Sequence, residues 1–188
     1  MQKLKLQTSK IIIVAFLTLV ACQTPQADKQ VQHTDEQLTR YVNPFIGTDG
    51  TGNTYPGATT PFGMVQLSPD IGIPGWDRIS GYFYPDSIIT GFSHTHLSGT
   101  GAGDLYDILI MPTNSKFNER IEANNYKPFS YFHHNSETAT AGYYRVQLES
   151  YNIGVELTAT PRVGVQRYTF PQDNQSDITI DLGYAINW

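Results

Sequence analysis

Ser93-His94-Thr95-His96-Leu97-Ser98-Gly99-Thr100-Gly101-Ala102-Gly103-Asp104 gathers imidazoles, hydroxyls, glycines and a carboxylate into one short stretch. On an extended chain alternate side chains share a face, so His94 and His96 would point together, and Asp104 or Asp107 could approach them after the glycines. A His-x-His pair on a strand can ligate a transition metal, but spacing alone identifies no third ligand. Three readings stay open: a small metal site on His94, His96 and Asp104, hydrogen bonding in a polar pocket, or core and surface histidines without a site role. A second group is Gly75-Trp76-Asp77-Arg78, followed by Ser80-Gly81-Tyr82-Phe83-Tyr84. An indole can cover the C–H face of a sugar ring, while a carboxylate and a guanidinium meet its hydroxyls. The plainer reading makes Trp76 a core residue and Asp77–Arg78 a solvated pair.

Other motifs fail on inspection. Asp104 stands where a dinucleotide fingerprint needs its third glycine, and no Gly-Lys-Ser/Thr occurs, which argues against nucleotide binding. Gly47-Thr48-Asp49-Gly50-Thr51-Gly52-Asn53 lacks the carboxylate spacing of a calcium loop, and its glycines suit a conformational task instead. His133-His134 lies in a polar loop and receives no role.

The elements that must carry these residues are strands. From Tyr41 to about Pro112 glycine and proline recur too often for a helix of ordinary length. Pieces such as Gly63 to Ser68 and Asp107 to Met111 have strand length and composition. Farther on, Tyr144, Val146 and Leu148 alternate with Arg145, Gln147 and Glu149, and Asn152-Ile153-Gly154 reads as the turn into a returning strand with Val155, Leu157 and Ala159 inward. Further strands are expected at Val163 to Phe170 and Asp177 to Leu182. The fold class is all-β, a supersandwich-like antiparallel β-sandwich. Its last strand would present Ile178, Ile180 and Leu182 as an apolar patch beside an open edge, so the sandwich reads as incomplete at its carboxy end.

Composition narrows the function classes. The chain has 188 residues, enough for one domain plus a leader, with 15% charged and 12% aromatic residues and a net charge of -5. It can bury a core, and an acidic balance argues against a basic nucleic-acid face. Lys3, Lys5 and Lys10 form a positive amino-terminal region, Ile11 to Ala21 an apolar one, and Leu19-Val20-Ala21-Cys22 places small residues before the sole cysteine. This is similar to a bacterial lipobox, with Cys22 as the acylated first residue. Residues 1–21 are then a lipoprotein signal peptide, 22–40 a flexible tether and 41–188 the folded domain. The expected location is the bacterial cell envelope, periplasm or cell surface, with the membrane as a partner through the lipid anchor. The apolar run is too short for a transmembrane helix.

Taken together, Tyr41-Val42-Asn43-Pro44-Phe45-Ile46-Gly47-Thr48, Pro56-Gly57-Ala58-Thr59-Thr60-Pro61-Phe62-Gly63-Met64 and Gly91-Phe92-Ser93-His94-Thr95-His96-Leu97-Ser98-Gly99-Thr100-Gly101 resemble the amino-terminal domain of glycoside hydrolase family 92. The match continues through Asp107 to Pro112 and Leu157 to Gly164. The resemblance implies an exo-acting, inverting, calcium-dependent α-mannosidase whose β-sandwich packs on a larger helical domain. It implies that Trp76, Asp77, His94 and His96 bind substrate, a mannose-containing glycan. In the family the acid, the base and the calcium ligands come from the helical domain, so this chain is expected to be inactive by itself, to bind no calcium, and to need that missing domain as its partner. Inversion needs the two carboxyl groups about 6.5–9.5 Å apart, with water between. The alternative is a non-catalytic carbohydrate-binding surface lipoprotein.

Overall fold

The computed structural model describes residues 37–99, 103, 105–117 and 127–185. The signal peptide, Cys22, Asp104 and Trp188 lie outside the described residues. Among the described residues the order of strands is β1 (Ala58–Thr59), β2 (Gln66–Asp70), β3 (Ile88–Ile89), β4 (Gly91–Ser93), β5 (Leu109–Asn114), β6 (Ser130–Tyr131), β7 (Thr138–Thr140), β8 (Tyr143–Leu148), β9 (Ile153–Ala159), β10 (Gly164–Thr169) and β11 (Ser176–Asp181). Among the described residues between Tyr41 and Pro112 the glycines and prolines leave only the three-residue 3-10 turn Trp76–Arg78. The end of the expected tether is itself a 3-10 turn, Leu38–Tyr41.

These strands make two antiparallel sheets and a small ribbon. The first sheet runs β1-β2-β4-β5-β11 and the second β10-β9-β8-β7, while β3 pairs with β6. β1 packs on both β8 and β9, and β2 on β9, which closes the two sheets into a sandwich. The period of two explains this hairpin. Tyr144, Val146 and Leu148 stand opposite Leu157, Val155 and Ile153 across the β8–β9 register, and all six are buried. Each such aliphatic side chain contributes on the order of 1.5–3 kcal/mol by leaving water. The turn ends two residues earlier than expected: Asn152 takes φ 54°, a left-handed conformation that asparagine tolerates, and Ile153 already belongs to β9, with its side chain in the core.

Other boundaries shift for local reasons. β2 begins at Gln66 rather than Gly63, because the Gly63 amide turns back to Thr60 O and the Met64 amide donates to Pro161 O. Gly164 opens β10 beneath the Leu67 side chain of β2, whose branch a Cβ would meet at 2.8 Å, so a larger residue there would force Leu67 to shift. β11 pairs with β5 from Ser176↔Asn114 to Asp181↔Leu109. Ile178 and Ile180 are nevertheless 52% and 57% exposed, so their alternation marks an apolar face that the described residues cover only in part.

Candidate functional site

His96 is fully enclosed. β4 ends at Ser93, His94 sits in a bend, and Thr95 makes a single bridge to Tyr106, so the extended run through Leu97 that would aim His94 and His96 the same way does not form. The His94 ring turns outward and its Nδ1 bonds Ile108 O at 3.0 Å. The His96 ring goes inward, between Tyr55 and Tyr106. Its Nδ1 donates to Gln66 O at 2.7 Å, and its Nε2 lies 3.0 Å from Asp70 Oδ1 and 3.2 Å from Ser93 Oγ. Asp70 Oδ2 accepts the Ser93 amide at 3.0 Å. Because Gln66 O can only accept, Nδ1 carries a hydrogen, and the short Nε2–Asp70 contact needs another between ring and carboxylate. The node thus joins β2, the end of β4 and the loop beyond it. Asp107, a possible partner of the histidines by spacing, instead accepts the Thr95 hydroxyl at 3.1 Å.

Gly81 brings the second motif to this node. It adopts φ +85°, and a side chain there would collide with Asp70 Oδ1 and crowd Tyr106 and His96. The adjoining Ser80 hydroxyl donates to Thr54 O at 2.8 Å, and the Gly99 amide donates to Asn53 O at 2.6 Å. The glycine-rich segment 47–54, the segment around Trp76 and the segment after His96 are therefore held to one another. Trp76 is 57% exposed and Asp77 half-buried on their 3-10 turn. Arg78 does not complete a trio with them: its Nε and Nη2 grip Asp86 Oδ2 and Oδ1 at 2.7 and 2.9 Å, and its guanidinium lies 4.5 Å over the Phe83 ring. That fork-to-fork geometry raises the Arg78 pKa, chiefly through the Asp86 hydrogen bond.

A second buried carboxylate stands behind this loop. Glu137 accepts the Tyr144 hydroxyl on Oε1 at 2.6 Å, and the Tyr82 hydroxyl and His134 Nδ1 on Oε2 at 3.0 and 2.7 Å. His134 Nε2 donates to Tyr84 O at 2.7 Å, and the two rings stack 3.9 Å apart. Burial, then the Glu137 charge, pushes both the Tyr82 and the Tyr144 phenol well above the ordinary phenol value, so both remain donors. The arrangement repeats that of His96, with a carbonyl on one ring nitrogen and a buried carboxylate on the other.

Sequence reasoning named Trp76, Asp77, His94 and His96 and missed Asp70, Asp86, His134 and Glu137. The signal available for the last two was their separation by three residues, which one 3-10 turn (His134–Ser136) converts into a contact. Asp70 and Asp86 carry no local signal, since their partners lie 26 and 8 residues away. An apolar cleft of about 370 Å³ opens nearby, lined by residues of all three family-like motifs, among them Pro44, Pro61 and Ser98. Among the described residues no three of His, Cys, Asp and Glu converge where they could hold a metal ion.

The architecture is thus an all-β sandwich domain with its polar motif loops bonded together. The model of the glycosyl hydrolase family 92 N-terminal domain matches residues 41–188, and the chain belongs to that family. Similar solved structures include a family GH92 α-mannosidase of Bacteroides thetaiotaomicron in complex with mannoimidazole, 42% identical with a TM-score of 0.72 over 80% of this chain and 20% of that one. A GH92 inverting mannosidase from Bacteroides thetaiotaomicron VPI-5482 is 32% identical, with a TM-score of 0.57 over 77% of this chain and 19% of that one. A curated relative from Arthroderma benhamiae, described as an uncharacterized secreted glycosidase, is 30% identical over 73% of this chain and 18% of its own length. The chain therefore spans about a fifth of each of these relatives.

Proposed function

We propose that this chain supplies one wall of the sugar site of an exported, calcium-dependent, inverting α-mannosidase acting on glycoprotein glycans. The observation that carries the reading is the 42% identity, over 80% of this chain, to an α-mannosidase solved with mannoimidazole. On the described residues, the exposed Trp76 ring would cover the apolar face of a mannose unit and Asp77 would accept from its hydroxyls. His94, at the surface of the adjoining loop, would add a polar contact. His96 would serve the same site from inside, by bracing the loop against Asp70 and Gln66.

The proton-transferring carboxylates belong, in this reading, to the part of the relatives that this chain does not span. Calcium would belong there as well, as the family resemblance implies. Export follows the secreted relative, and lipid attachment at Cys22 with envelope anchoring follows the lipobox. The test is mannose release from a mannose-rich glycopeptide. The 188-residue chain should release none, whereas the same sequence joined to the remaining four-fifths of a GH92 relative should release mannose of inverted configuration. Release by the 188-residue chain alone would overturn the assignment of the acid and base. Trp76→Ala in the joined protein should raise KM or lower kcat by about tenfold or more, and an unchanged kcat/KM would remove Trp76 from the site.

A further inference from the structure

We infer that Glu137 and His134, more than fifty residues downstream of the Trp76 turn, are the positioning residues that set it, an inference that rests on the sugar-binding reading above. The path is continuous and short. Tyr82 and Tyr84 flank Phe83, and both are tied to the same pair, a buried carboxylate and a half-buried imidazole: the Tyr82 hydroxyl to Glu137 at 3.0 Å, and the Tyr84 carbonyl to His134 at 2.7 Å with the rings stacked. Phe83 is thus gripped on both sides. On its ring lies the Arg78 guanidinium, 4.5 Å from the centroid, and Arg78 is the last residue of the 3-10 turn that bears Trp76 and Asp77. Asp86 closes the loop by taking the other edge of that guanidinium, while its own amide returns to Phe83 O at 3.0 Å.

The physical argument concerns entropy and desolvation. A three-residue 3-10 turn with a mostly exposed indole has no intrinsic stability and would sample many orientations alone. A sugar contact worth having requires that the indole be held before the ligand arrives, since ordering it on binding subtracts from affinity. Glu137 can anchor the loop because its carboxylate is fully out of water and accepts from three donors, so moving any of them leaves a buried charge short of a hydrogen bond. The anchor is also tied to the sandwich itself, as the third donor, Tyr144, is a core residue of β8.

The experiment uses the chain with Trp188→Phe, which leaves Trp76 as the only indole. Acrylamide quenching of Trp76 and the Kd for methyl α-mannoside are measured in this parent and with His134→Gln, Arg78→Lys and Val155→Ala added. Gln lacks the two separate ring nitrogens by which His134 spans Glu137 and Tyr84 O, and Lys keeps the charge of Arg78 but loses its fork. Both variants should raise the quenching constant about twofold and weaken sugar binding about tenfold. Val155→Ala, a core cavity in β9 that removes no donor or acceptor of Glu137, His134 or Arg78, should lower Tm and leave both readouts at parental values. Unchanged quenching in both loop variants, or an equal change in Val155→Ala, overturns the inference. If His134→Gln does not fold, Arg78→Lys decides by the same criterion. Trp76→Ala separates the two readings: sugar binding unaffected by its loss refutes the proposed sugar site, while quenching still decides whether His134 and Arg78 set the turn.

Discussion

Raising the pH from about 8 to about 11 should cost this domain stability through two identified phenols. Tyr82 and Tyr144 both donate to Glu137, and burial followed by that negative charge holds each phenol pKa far above its ordinary value. In the unfolded chain they titrate near 10. A folded pKa above the unfolded one means that the stabilising contribution is whole below about pH 10 and is lost as the pH rises beyond it, since the unfolded state then releases protons that the native state keeps. At pH 11 the loss amounts to about 1.4 kcal/mol for each phenol, or about 3 kcal/mol for the pair. Urea unfolding at both pH values measures the loss, and ultraviolet difference absorbance counts the phenolates formed on unfolding. Tyr144→Phe should cost about 2 kcal/mol at pH 8, because a buried carboxylate loses a donor. Yet it should lose about 1.4 kcal/mol less than the parent between pH 8 and pH 11, and Tyr82→Phe should behave alike. Burial raises Tyr168 and Tyr184 as well, but their contributions cancel when variant and parent are compared. An alkaline loss in both phenylalanine variants equal to that of the parent would refute the reasoning.

Gly81→Ala should destabilise by about 3 kcal/mol or more in chemical denaturation, because it combines a strained φ with a collision at Asp70. Asp70→Ala removes the acceptor shared by the Ser93 amide and His96, and should cost about 3–5 kcal/mol by the same assay; a loss below about 1 kcal/mol would show that the node is not closed to water. Leu157→Ala, opposite Tyr144 in the core, should lower stability by about 2–5 kcal/mol. The chain should self-associate through the apolar face and open edge of β11, and Ile178→Lys with Ile180→Lys should shift it toward monomer in sedimentation velocity.

How much was legible depended on the range of the interaction. Alternation along Tyr143–Leu148 and Ile153–Ala159 announced a half-buried hairpin, because the side-chain period of a strand is two and one face of this sheet lies in the core. The density of glycine and proline before Pro112 ruled out long helices for an equally local reason. Boundaries moved where one hydrogen bond decided them, as at Gly63 and Asn152.

The site divides in the same way. Trp76 and Asp77 could be singled out by residue chemistry, since a ring beside a carboxylate suits a sugar whatever surrounds it. The fate of Arg78 could not, because Asp77 and Asp86 are both near in sequence and only the path of the loop chose Asp86. Nor could His94 and His96 be told apart, although one faces outward and the other is enclosed. Residue types and their order were enough to establish an all-β sandwich and its family motifs. The pairing of His96 with Asp70 and of His134 with Glu137 under the Trp76 loop was decided by the closing of the sandwich. A buried carboxylate takes whichever donors packing brings within 3 Å, and that proximity is a property of three dimensions.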